Sequence, residues 1–166
     1  IERIHRERSG GAPRRVGIVF PTEMPEDLTL MQLYREWLVA RGWPTVFAAP
    51  FNLDQGPDGR IRAFGQPIDV MLRHYKTDWW SEREPVWHNA ERVPDDGPLP
   101  QLAAVLEAES RGLLTVVNPF GAVVPQNKRA LALCFELGER LPERARQIAD
   151  ELIPATFRLE GLDKQR

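Results

Sequence analysis

Four short, unbroken apolar runs constrain this chain more than any other feature: VGIVF at residues 16–20, TVFAA at 45–49, IDVML at 68–72 and LLTVV at 113–117. A strand with one wet face alternates apolar and polar residues, whereas a strand covered on both faces does not. Runs of this length therefore predict buried strands. After the first run, PTEMPED at 21–27 breaks the pattern. Thr29 and Gln32 then form a capping box for a helix to Arg41, with Leu30, Leu33, Trp37 and Leu38 as its apolar stripe and Gly42 as its stop. Residues 101–111 carry Leu102, Val105 and Leu106 at helical spacing, closed by Gly112, and lead into the fourth run. Strand–helix–strand units of this kind are parallel and right-handed.

The remaining segments complete the pattern. Residues 53–68 place Pro57, Asp58 and Gly59 between short alternating stretches, which predicts a hairpin inserted before the third strand. Residues 89–100 are rich in Pro, Asp and Gly and predict a surface loop. Ala130, Leu133, Leu137 and Leu141 stripe a further helix. Pro142 opens a last one, faced by Ala145, Ile148, Ala149 and Leu152 and stopped by Pro154. The expected fold is α/β: a Rossmann-like three-layer sandwich with a mostly parallel sheet of about four strands, an inserted hairpin and helices on both faces. Residues 14–160 are read as this domain, 1–13 (beginning IERIHRER) as the helical tail of a preceding segment, and 161–166 as a C-terminal tail.

Composition narrows the function classes. A chain of 166 residues with 42% hydrophobic content supports one sizeable core. With 22 Lys plus Arg against 24 Asp plus Glu, the net charge of -2 gives no electrostatic reason to expect nucleic acid or an anionic membrane as partner. The single cysteine, Cys134, excludes an intramolecular disulfide and a thiolate zinc cluster and fits a reducing cytoplasm. His5, His74 and His88 lack metal-ligand spacing, and neither a P-loop nor a glycine fingerprint follows the first strand.

In open parallel sheets ligands gather at the carboxyl ends of the strands. The loop after Leu72 supplies Arg73, His74, Tyr75 and Lys76. That after Val117 supplies Asn118 and then Gln126, Asn127 and Lys128 at a helix start. This cationic, amide-rich rim suits a carboxylate or phosphate. Arg73, Lys76, Asn118, Asn127 and Lys128 are the candidate substrate-binding residues, and no catalytic or metal-ligating residue is assigned. Beside that reading stands a purely structural one. In it Asn118 and Asn127 cap and turn, Lys128 is solvated, Arg73 pairs with Glu23 or Asp78, Trp37 belongs to the core, and Trp79, Trp80 and Trp87 pack.

RRVGIVF, the helix ending WLVARGW, the stretch TVFAAPFNLDQGPDGRIRAFGQPIDVMLRHY, then TVVNPFGAVVPQNKRALALCFE and IADELIPATFRL occur in an order and spacing that resembles the pre-ATP-grasp portion of glutathionylspermidine synthase-like, circularly permuted ATP-grasp proteins. The resemblance covers roughly residues 14–160. Its most specific parts are the strand ending in Arg73 and the segment from Asn118 to Lys128. It implies the substrate-side domain of an ATP-dependent carboxylate–amine ligase, inactive in isolation. ATP and Mg are expected for the complete enzyme only, and none for this chain alone. The implied partners are the missing ATP-grasp portion, a small acid or peptide, and an amine. A different class of function, a non-catalytic binding or protein-interaction domain on the same fold, uses the tryptophan-rich segment as its contact. A Rossmann-like transferase half is weaker because the glycine loop is absent.

Overall fold

All four apolar runs form strands of one parallel sheet, in the order β2–β1–β6–β7, with β1 at Val16–Val19, β2 at Thr45–Ala48, β6 at Val70–Arg73 and β7 at Thr115–Val117. The computed structural model describes residues 1–11, 14–22, 24–81 and 97–158. Glu23, Trp87, His88, most of the loop expected at 89–100 and the tail at 161–166 lie outside them. The chain divides into two compact units, Ile1–Pro119 and Phe120–Arg166.

In the first unit, pleating assigns each strand residue to a face. Val16, Ile18 and Val70 are buried with Met31 and Leu38 of α2 (Leu28–Val39), and Phe47, Leu72 and Val117 pack against the same cluster. α1 (Glu2–Ser9) shares this side: Ile1 packs on the cluster, and His5 Nδ1 lies 2.8 Å from Thr115 Oγ1. α1 is thus tied to β7 within this unit. From β1 the chain moves to β2 on one side, and from β6 it moves to β7 on the other. Right-handed crossovers therefore place α2 and α3 (Leu99–Ser110) on opposite faces. The predicted hairpin is a small antiparallel sheet, β3 (Leu53–Gln55), β4 (Ile61–Ala63) and β5 (Gln66–Pro67), and α3 packs against its first two strands. Phe64 and Gly65, both at positive φ, make the tight turn between β4 and β5.

Two expectations for α2 are corrected. Asp27, not Thr29, precedes the helix, and Asp27 makes no side-chain cap. The buried stripe is Met31 and Leu38 with half-buried Tyr34, while Leu30, Leu33 and Trp37 are exposed, Trp37 by 51%. α2 is apolar around most of its circumference, so the spacing fits two stripes about 100° apart. The sheet takes the one that includes Met31.

In the second unit, α4 (Val123–Gln126) and α5 (Lys128–Glu136) precede α6 (Glu143–Leu152). The single helix expected through Leu141 stops at Glu136 and tightens into a 3₁₀ turn at Gly138–Arg140. Gly138 is the physical reason, because glycine has the greatest backbone freedom to lose. Of the face expected on α6, only Ala149 is buried; Ile148 and Leu152 are 39% and 71% exposed. Phe135 stacks near Phe157 at 6.4 Å, and Arg158 forks onto Glu136 at 2.5 and 2.6 Å. The guanidinium holds the Glu136 carboxyl below its usual pKa. Among the described residues no helix is long and apolar enough to cross a membrane.

Candidate functional site

The strand order fixes where a ligand would sit. β1 and β6 are neighbours whose outgoing connections turn to opposite faces, so a crevice opens at their carboxyl ends. Val19 O, at the end of β1, accepts from both His74 N (2.8 Å) and Tyr75 N (3.1 Å). The chain leaving β6 is therefore laced back across the crevice floor. Above it, His74 Nε2 lies 3.3 Å from Asp27 Oδ2, joining the loop after β6 to the start of α2. This explains the missing helix cap: the Asp27 carboxylate faces the imidazole instead of its own helix.

Arg73 is 4% exposed, although it ends a strand. Its guanidinium donates to three main-chain carbonyls: Nε to Asn118 O (2.8 Å), Nη1 to Tyr75 O (2.6 Å) and Nη2 to Pro119 O (3.2 Å). Burial lowers its pKa from the usual arginine value, and such a group keeps its charge nonetheless. Asn118 reciprocates. It sits in the left-handed region at φ 62°, which asparagine tolerates better than most residues, and its Nδ2 donates to Arg73 O at 3.1 Å. Arg73 and Asn118, both expected at the site, are thus brought together as a clamp on the ends of β6 and β7.

The other candidates are placed separately. Lys76 is exposed, with Nζ 4.3 Å from the centre of the Trp79 ring, close enough for a cation–π contact. Tyr75 and Trp80 are fully buried beneath it with their rings edge-to-face at 5.7 Å, so Trp80 packs as expected. Asn127 and Lys128 belong to the second unit. Asn127 caps α5, its Oδ1 accepting from Arg129 N at 2.9 Å, and Lys128 is the exposed first residue of that helix. No protein-family model matches this chain, and no curated protein matches it.

Two polar features at the opposite, amino end of the sheet escaped sequence reasoning. Asp69, 8% exposed, accepts from Arg14 N and Arg15 N at 2.9 Å each and from the Arg60 guanidinium. A charged residue inside the apolar run IDVML was the available signal, since a buried carboxylate needs partners. His5 is buried beside it, its Nδ1 also within 3.3 Å of Ser9 Oγ. Burial lowers the His5 pKa, with Asp69 opposing and Arg60 reinforcing the shift. Finally, a cavity of about 630 Å³ opens on the face shared by α1 and α2, with Leu72 of β6 and Ile1 among its lining.

Proposed function

We propose that this chain is the substrate-side domain of a cytoplasmic ATP-dependent ligase that joins a carboxylate to an amine. The observation that carries the reading is the crevice between β1 and β6, whose backbone is locked by the Arg73–Asn118 clamp and whose rim carries Lys76 and His74. Lys76 attracts the carboxylate of the acid substrate. Trp79 beneath it and the Asp27–His74 bridge beside it hold that wall in one shape, so orientation costs the substrate less ordering entropy.

Magnesium and ATP would supply acyl-phosphate formation. By the resemblance, both would be held by the grasp portion of the parent protein. The test is ADP release by the parent protein in the presence of acid and amine. Lys76→Ala should raise KM for the acid while leaving KM for ATP unchanged. An unaltered acid KM would sink the site assignment, and ATP turnover by the 166-residue chain alone would sink the division of labour.

One observation favours the second reading, a non-catalytic interaction domain. Leu30, Leu33 and Trp37 are all exposed on α2 at i, i+3 and i+7, the spacing of one helical face.

A further inference from the structure

We propose that α1 is a proton-operated latch, docked on the sheet while the His5 ring is neutral and released when that ring gains a proton. Of the residues of α1, ERIHRERS, only His5 is buried; all the others, Ile4 included, are exposed. A helix docked on a sheet ordinarily buries an apolar stripe. Here the side chain given to the core is an imidazole, whose charge changes close to neutral pH. Two further ties hold the segment. Ile1, just before the helix, packs half-buried on the apolar cluster, and Arg8 meets Glu109 of α3 at 3.1 Å in an exposed ion pair of small worth.

The groups around His5 suit a neutral ring and have no capacity for a charged one. From β7, the wholly buried Thr115 sets its Oγ1 2.8 Å from Nδ1, and from α1 itself Ser9 Oγ lies at 3.3 Å. Each hydroxyl can donate to an unprotonated nitrogen. At the start of β6 stands Asp69, whose main-chain O accepts from Thr115 N at 2.9 Å. Its carboxylate is already engaged: Oδ2 accepts from Arg14 N and Arg15 N, and Oδ1 from the Arg60 guanidinium of the hairpin. The remaining charges of α1 are exposed and paired, Arg3 with Glu7 and Arg6 with Glu2. An imidazolium would therefore have to share Asp69 with Arg60, which leaves one buried positive charge in excess. Once off the sheet, so short a helix is not stable in water, and release is also melting. Gly10, at φ 72°, and Gly11 follow it and give the segment a joint. The strand uncovered, β7, is the last of the sheet, so the latch acts on an edge and stands whether or not the ligase reading does.

The experiment is NMR titration of the isotope-labelled 166-residue chain from pH 8 to pH 5. Amides of residues 2–9 should lose their helical chemical shifts in step with the His5 ring resonance, while those of β1 and β6 keep theirs. Because the docked ring titrates below 6.5, the docking constant should fall by up to about tenfold for each pH unit below that value, until the docked ring itself protonates. His5→Gln keeps an acceptor for Thr115 but does not titrate, so α1 should stay docked throughout. Arg60→Gln frees Asp69 to pair with the imidazolium and should move release to lower pH, a response that mere packing by His5 would not give; this variant decides the matter if His5→Gln fails to dock at pH 8. A helix still docked at pH 5 in the wild type, release unchanged in His5→Gln, or a midpoint indifferent to Arg60→Gln would each overturn the proposal.

Discussion

Replacing Arg73 by lysine separates a structural clamp from a mere positive charge. The substitution keeps the charge and most of the stem but exchanges a planar fork for a point donor. A lysine ammonium on this stem reaches one of the carbonyls of Asn118, Tyr75 and Pro119, so two of the three bonds are lost. Hydrogen bonds to a charged group contribute about 1.5–3 kcal/mol each, and bonds sharing one side chain are not additive. Asn118 and Pro119 are exposed enough for water to replace part of the loss, whereas Tyr75 is buried. The expected net cost of Arg73→Lys is therefore about 3 kcal/mol. Urea unfolding at pH 7 measures it as a lower midpoint with an unchanged slope. A cost below about 0.5 kcal/mol, typical of an ordinary surface substitution, would refute the clamp and return Arg73 to the ligand.

Three further outcomes follow from the same geometry. His5 has a folded-state pKa below its unfolded value of 6.5, so the neutral ring's contribution is complete above pH 6.5 and is lost as pH falls through the lower folded value. Unfolding midpoints between pH 8 and 5 should fall with pH in the wild type and flatten in His5→Gln; parallel curves would exclude His5 as the titrating group. Gly17→Ala would set a Cβ 2.7 Å from Ile68 Cδ1 in the core, and chemical unfolding should register a loss of about 1–3 kcal/mol. Asn118→Gly should be milder than Asn118→Ala, since glycine accepts φ 62° without strain; the reverse order in thermal unfolding would deny that conformation a role.

What could be read from the sequence was what depends on local pattern. The four apolar runs became the four parallel strands because burial on both faces leaves a local signature, and Pro57–Asp58–Gly59 marked the antiparallel insert because turns need particular residues. The facing of α2 was not legible: a helix apolar on several sides does not encode which side meets the sheet, and only the packed partners select Met31 over Trp37. Nor was the cap, because Asp27 is drawn to His74, 47 positions away along the chain. At the site, Arg73 and Asn118 were picked out by their place at strand ends. Their mutual bonding, across 45 positions, is a tertiary fact that no spacing rule contains.

The Asn118 carboxamide carries one more consequence. The β6–β7 ladder pairs Leu72 with Val117, and the next rung would pair Arg73 with Asn118. At that rung the backbone of Asn118 has already turned out of the sheet, yet its Nδ2 delivers a donor to Arg73 O. A side chain thus stands in for a strand residue. The sheet can end here with that carbonyl satisfied and with no further extended backbone required. Insertions after Pro119 would therefore leave the last rung intact, whereas any replacement of Asn118 that loses its amide would unpair the end of the central strand.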